Sequence, residues 1–336
     1  MKAFVTGATG LLGNNLVRAL RAHGHDVTAM VRDRAKAARL LDGTGIDIVV
    51  GDMKDVSGFA TAMDGADAVL HTAAYFREAF GPGSHEEALE EINVRATLTL
   101  LEAADRRGVR AFVHVGSGGT VGRKPDGSAG DEDTPPLPVQ RENPYFRSKI
   151  RGGAELAAWK GHGSMSVIEV LPGWIWGPWD AAPTEAGKLV AEFLGGGIPA
   201  NIDGGTMIVD ARDVAEAMVA AVRRALASPV PRTGAERFLV GGHYCTMREI
   251  MRLLEDATGV RGPRFTIPHA VLLAYAHGCV AWGSLRGTAP LVTPTAVRTM
   301  HAKIALDSSR AIRELGVTFR DPADTFRDTV EWLALR

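Results

Sequence analysis

The stretch "KAFVTGATGLLGNNLVRALRAHG" constrains the fold more than any other part of this sequence. Residues 2–6 are a short apolar run that reads as a buried strand. From residue 11 an amphipathic helix follows, with Gly24 as its stop. Between them lies "TGATGLLG", with Gly7, Gly10 and Gly13 at a spacing of three. Glycine lets a strand-to-helix turn close tightly and approach a pyrophosphate. The helix N-terminus adds free N–H groups and a partial positive charge. Thr6, Thr9, Leu11 and Leu12 complete this loop and are expected against a dinucleotide. The pattern is GxxGxxG rather than GxGxxG, and the chain holds 39 glycines. The position between strand and helix therefore carries the argument, not the triplet.

The rest of the first half repeats the alternation. Apolar runs at 26–31, 47–52, 66–74, 110–117 and 164–173 read as further strands, and residues 84–108 and 143–161 as helices. The helix at 84–108 carries acids near its start and "RRG" at its end, as the helix dipole favours. Strands separated by helices imply a parallel sheet covered on both faces. After Gly173 the texture changes. "WIWGPWDAAP" is rich in Trp, Pro and Gly, and amphipathic helical runs follow to the end. The expected class is α/β. Residues 1–173 form a doubly wound parallel sheet, to which segments around 205–228 return. Residues 174–336 form a smaller, mostly helical lobe that binds substrate.

Composition removes several alternatives. The 336 residues carry 38 Lys and Arg against 39 Asp and Glu. A net charge of −1 gives no electrostatic reason to expect a nucleic acid or an anionic membrane surface. Two cysteines, Cys245 and Cys279, build by themselves neither a disulfide framework nor a four-ligand zinc site, and both read as small buried apolar residues. The ten histidines show no metal-ligand spacing. No charged-then-apolar leader precedes the first strand, so a cytoplasmic location is expected. The apolar stretch "IPHAVLLAYAHGCVAWGSL", with His269 and His277, falls short of a membrane span and reads as a buried helix or pocket wall, peripheral membrane contact being the lesser reading.

Which dinucleotide would bind is read at the end of the second strand. An acid there favours NAD and an arginine favours the 2′-phosphate of NADP. The strand ends "AMVRDR", with Arg32 and Arg34 around Asp33. Arg32 is suited to fork onto a phosphate, so NADP(H) is favoured and NAD(H) remains possible. Asp52, followed by Met53, serves either as acceptor for the adenine amino group or as a turn cap.

Catalytic candidates lie in "NPYFRSK". Tyr145 and Lys149 are four apart, which puts both on one helix face. A phenol with a pKa near 10 is a poor proton donor at neutral pH. A lysine ammonium one turn away, with a positive nicotinamide, would favour its phenolate. Ser117 ends the fifth strand, at the sheet edge where ligands bind, and is suited to donate to a substrate oxygen. Thr120 is the alternative donor. Asn93 lies in mid-helix, where asparagine is unfavourable. It either links the lysine to a water chain or bonds nearby backbone. Trp174, Trp176 and Trp179 are either an apolar substrate wall or packing of the second lobe. The stretch "VDARDVAEAM" reads as a strand end and a capped helix start, with Asp213 structural rather than half of a carboxylate pair with Asp210.

Taken together, "TGATGLLG", "GD" at 51–52, "HTAA" at 71–74, Asn93, Ser117 and "YFRSK" resemble the extended short-chain dehydrogenase/reductases, of the NAD(P)-dependent epimerase/dehydratase family. Within them the chain is similar to the dihydroflavonol-reductase-like and hopanoid-associated epimerase-like branch. The resemblance implies a Rossmann fold and a nicotinamide cofactor. It implies Tyr145 as acid/base, Lys149 on the nicotinamide ribose and Ser117 on the substrate oxygen. Thr72, Ala73, Ala74, Pro172 and Gly173 would line the cofactor. Helices at 85–107 and 143–160 would pair if the protein is a homodimer, and monomers also occur.

The chain departs from the family at three places. Gly116 stands where a second hydroxyl residue is common. Gly118 and Gly119 follow Ser117 where dehydratases carry an acid. Leu171 replaces the arginine frequent in nucleotide-sugar enzymes. The expected function is NADP(H)-dependent carbonyl reduction, or the reverse alcohol oxidation, on a fairly apolar small molecule. The alternatives are a nucleotide-sugar epimerase with bound NAD and a non-catalytic NADP-binding sensor.

Overall fold

The computed structural model describes residues 1–76, 83–161, 165–227, 234–286 and 292–335. Its main sheet has seven parallel strands. They are β1 (Lys2–Thr6), β2 (Asp26–Val31), β3 (Asp47–Val50), β4 (Ala68–His71), β5 (Ala111–Val115), β6 (Ser166–Pro172) and a late strand, Glu236–Val240. In space the late strand is outermost, followed by β6, β5, β4, β1, β2 and β3. Chain order reverses between β1 and β4, so a crevice opens there beyond the carboxyl ends of the strands.

Alternation along each strand feeds two apolar layers. Val5, Leu70 and Val113 face the helix α1 (Leu11–Ala22) and the helix Ala211–Ala227. Phe4, Val69 and Phe112 face the other side, with Leu100, Leu156 and Phe59. Both faces are buried, which is why the strands read as continuous apolar runs. The strand expected from residue 164 starts at Ser166; residue 164 lies outside the described residues.

A second core gathers Trp176, Phe193, Ile208, Ile250, Leu254 and Phe326 beside a three-stranded sheet of Trp174–Trp176, Gly205–Asp210 and His243–Thr246. Two placements differ from the sequence reading. Of the segment 205–228, the helix returns to the main sheet, but residues 205–210 pair in the small sheet. Residues 236–240 join β6 in the main sheet. The helix His269–Arg286, expected as a buried helix or pocket wall, keeps only one face covered and does not line the cavity beyond the carboxyl ends of the strands. Leu272 and Ala276 are buried, while Val271, Tyr275, Trp282 and Leu285 face outward. Cys245 is buried and Cys279 only partly so. No described helix is long and apolar enough to cross a membrane.

Candidate active site

The carboxyl ends of β1, β2, β4, β5 and β6 open into one cavity of about 860 Å³. Gly7 is left-handed, with φ +77°, and a Cβ there would lie 2.6 Å from the Ala73 nitrogen and from Thr72 Oγ1. A Cβ on Gly13 would lie 2.1 Å from the Gly7 carbonyl oxygen. Only glycine satisfies both positions. The helix that follows has no side-chain cap and no acid in its first turn. Leu11, Leu12 and Gly13 line the cavity at this uncapped end, together with Thr9 and Gly10. A cradle of this shape, with unclaimed N–H groups and a helix dipole aimed into it, fits the pyrophosphate of a dinucleotide.

Thr6 belongs beneath this loop rather than in it. It is fully buried, its hydroxyl pairs with His71 Nδ1 at 2.7 Å, and its carbonyl accepts from the Thr72 hydroxyl at 2.8 Å. Thr72, Ala73 and Ala74 reach the cavity, as do Arg32, Asp52, Met53, Pro172 and Gly173. Asp33 turns away to cap the helix Arg34–Leu40, accepting from the Lys36 N–H at 2.9 Å. Arg34 donates to the Ile48 carbonyl. Asp52 is a turn cap, accepting from the Lys54 N–H at 2.9 Å, and it also lines the cavity.

The helix Pro144–Ala158 carries Tyr145 and Lys149, the candidate catalytic pair. Asn143 caps it, accepting from the N–H groups of Tyr145 and Phe146, and Pro144 occupies the first position. Tyr145 therefore stands in the first turn, where the dipole favours negative charge. Its ring meets Phe76 edge-on at 5.0 Å. Lys149 follows one turn later on the same cavity wall, and its ammonium donates to the Val115 carbonyl at 2.8 Å. Burial alone pushes the Tyr145 phenol above its ordinary range. It pulls Lys149 down to about 8, against a smaller opposing pull from Glu169. The expected lowering of the tyrosine by its lysine is thus absent in the protein by itself. Both groups are desolvated, and the ammonium points at a backbone carbonyl.

Ser117 lies at the mouth of β5 and accepts from the Gly119 N–H at 3.1 Å, a bond that does not use its own proton. Gln140 fixes this turn by donating to the carbonyls of Gly119 and Val121. The three glycines around the serine have a steric cause. A Cβ on Gly116 would meet Glu169 Oε1 at 2.5 Å, one on Gly118 would meet Leu306 at 2.6 Å, and one on Gly119 would meet Phe146 at 2.2 Å. Glu169 is a fully buried carboxylate on β6, paired with Arg237 at 3.1 Å, and desolvation raises its pKa. Nothing in the spacing of the sequence marks it, because an acid inside an apolar strand has no periodic signature.

Four expected contacts stand elsewhere. Thr6 is one. Asn93 is buried and does not line the cavity. It bonds the Tyr75 backbone in both directions, at 2.8 and 3.1 Å, and donates to Ser148, whose hydroxyl donates to the Tyr145 carbonyl. The residues around it, Glu91–Arg95, form a π turn, so this asparagine holds the helix that carries Tyr145. Thr120 donates to the Ser117 carbonyl at 2.7 Å and is outside the lining. Trp176 is fully buried and stacks on Phe326 at 4.2 Å. Of the three indoles only Trp174 lines the cavity, since Trp179 lies under the Arg18 guanidinium at 3.5 Å. Asp213 is structural, bonding the Arg320 backbone and side chain, and Asp210 holds Arg212. The far wall comes from residues the sequence did not single out: Leu189, Met207, Met247, Met300, Ile304 and Leu306. Lys36 lines the cavity as well, as does Arg32.

A parallel sheet with a glycine cradle at its switch point, feeding one cavity with Ser117, Tyr145 and Lys149, defines the extended short-chain dehydrogenase/reductase class. The chain belongs to the NAD dependent epimerase/dehydratase family, whose model matches residues 3–235. It is 33% identical to sterol demethylase protein B of Methylococcus capsulatus over 100% of this chain and 99% of that protein. It is 28% identical to a 3 beta-hydroxysteroid dehydrogenase/Delta 5-->4-isomerase of Mycobacterium tuberculosis, over 94% of this chain and 85% of that one. The crystal structure of gox2253 superposes with a TM-score of 0.82 at 27% identity, covering 99% of this chain and 98% of that chain.

Proposed function

We propose that this protein is an NADP(H)-dependent oxidoreductase that interconverts a carbonyl and an alcohol on an apolar, ring-rich small molecule. The observation that carries the reading is that Ser117, Tyr145 and Lys149 line the same cavity as the glycine cradle. A nicotinamide dinucleotide bound there supplies hydride exchange and, when oxidised, a positive charge. The residues of the chain supply the rest. Ser117 donates a hydrogen bond to the substrate oxygen and fixes its direction. Tyr145 exchanges a proton with that same oxygen. Lys149, buried and held by the Val115 carbonyl, orients the tyrosine's surroundings and contacts the ribose. Arg32, with Lys36 beside it, favours the 2′-phosphate, because Asp33 is turned into its own helix. The wall of Leu189, Met207, Met247, Met300 and Ile304 suits an apolar body, and the names of the sterol and steroid relatives support the same class. An acid after Ser117, as a sugar dehydratase needs, has no room against Leu306 and Phe146.

The test is NADPH and NADH oxidation with a panel of sterol-like, aromatic and aliphatic ketones. Tyr145→Phe keeps dinucleotide binding and lowers turnover about a hundredfold to ten-thousandfold. Near-normal turnover in that variant overturns the reading. Protein that purifies with bound NAD and ignores the panel points to an epimerase instead.

A further inference from the structure

The helix His269–Arg286 presents an apolar stripe to its surroundings. Val271, Tyr275, Trp282 and Leu285 are 58%, 53%, 58% and 83% exposed, and Gly278 lies between them at the same helical spacing. Phe265, just before the helix, is 61% exposed. The opposite stripe is packed: Leu272 and Ala276 are buried against Val297. Exposed large apolar side chains at regular spacing are uncommon on a surface that meets only water.

Charge singles out the same region. From residue 257 to residue 306 the sequence has no Asp or Glu, while it carries Arg261, Arg264, Arg286, Arg298 and Lys303. The chain as a whole is balanced, so this segregation is local. Arg264, Arg298 and Lys303 find their acids in other parts of the chain, at Glu255, Glu142 and Asp203. Arg261 and Arg286 make no ion pair among the described residues, and the Arg286 guanidinium lies 4.5 Å over the Trp282 ring. An indole, a phenol and a guanidinium around an aliphatic stripe is the side-chain set favoured at a membrane–water boundary.

We propose that this face docks on an anionic phospholipid bilayer, with the helix lying in the interface plane. The helix is not long and apolar enough to span, so it lies on the surface rather than through it. The helix offers a second copy no acid to pair with Arg286, whereas an anionic surface complements it. The helix packs on Pro294–His301, and Thr299, Met300 and the following Ile304 line the active-site cavity. Docking therefore brings the apolar end of that cavity next to the acyl chains. Delivery of substrate from the bilayer rests on the function proposed above; docking itself does not.

The experiment is co-sedimentation of the full chain with vesicles of phosphatidylcholine alone and with about a third phosphatidylglycerol. The chain is expected to bind the anionic vesicles, more weakly at high salt and on phosphatidylcholine alone. The double variant Trp282→Ser, Leu285→Ser should bind at least about tenfold more weakly. Its circular dichroism and dinucleotide affinity should match those of the parent, because both side chains are more than half exposed. Absence of binding to anionic vesicles, or equal binding by the variant, overturns the proposal. A concentration-dependent dimer in sedimentation velocity, lost in the variant and without vesicle binding, assigns the face to a second copy instead. Because vesicle binding is read without turnover, its failure is distinct from failure of the proposed chemistry.

Discussion

Replacing Lys149 by methionine keeps the length and removes the charge, and its effect on stability follows from burial. In the folded protein the ammonium is drawn down from 10.5 to about 8, chiefly by desolvation. The unfolded chain keeps the ordinary value. Between about pH 8 and pH 10.5 the unfolded state therefore holds a proton that the folded state has released, so Lys149 makes stability rise with pH through this window. At 1.36 kcal/mol per pH unit the full gap is about 3 kcal/mol. Other groups titrate nearby. Burial raises Cys245 to about 11 and raises Tyr145 as well, and both make stability fall with rising pH. The informative quantity is thus the difference between parent and Lys149→Met, measured by urea denaturation at steps from about pH 7 to pH 10. The parent should gain on the variant by about 2–3 kcal/mol over that range. Part of the constant offset comes from the Val115 carbonyl, which loses its donor in the variant. A difference that is flat or falls with pH refutes the argument that desolvation governs this lysine.

Gly13→Ala places a methyl group 2.1 Å from the Gly7 carbonyl oxygen and forces the loop open. Isothermal titration should show at least about tenfold weaker dinucleotide binding, and thermal melts should show a loss of about 1–3 kcal/mol. Arg32→Ala should raise the Kd of NADPH about tenfold and leave that of NADH within about twofold, as expected when one guanidinium contact to a phosphate is removed.

Much of the cofactor half was legible in the sequence because its signals are local. The strand–glycine–helix unit, the Asn143-Pro144 start of a helix and the four-residue spacing of Tyr145 and Lys149 each follow from backbone geometry within a few residues. The residues that went astray depend on partners far along the chain. Trp176 looks like a pocket residue until Phe326 stacks on it, and Thr120 like a donor until the turn claims its hydroxyl. Asn93 marks an irregular turn, but its bonds to Tyr75 and Ser148 arise only when two segments meet. The lowering of Tyr145 was expected from Lys149 together with a positive nicotinamide, and the protein by itself holds only the first of these. Proximity in a helix says nothing about burial, and burial outweighs it here. The apolar wall of Met247, Met300 and Ile304 could not be read at all, since no spacing distinguishes a methionine that faces a ligand from one in a core.

The position of Leu306 has a consequence for how the molecule is made. It presses on Gly118, and Leu306 bridges to Gly130 across a long span of sequence. Arg237 likewise reaches back to Glu132 and Glu169. A nascent chain has the whole glycine cradle outside the ribosome long before these residues are synthesised. Contacts this distant in sequence form late, since they must first close a long loop. The helix behind the cradle thus waits for Ala211–Ala227, on which it packs, and the wall behind Ser117 closes only when the chain is nearly finished.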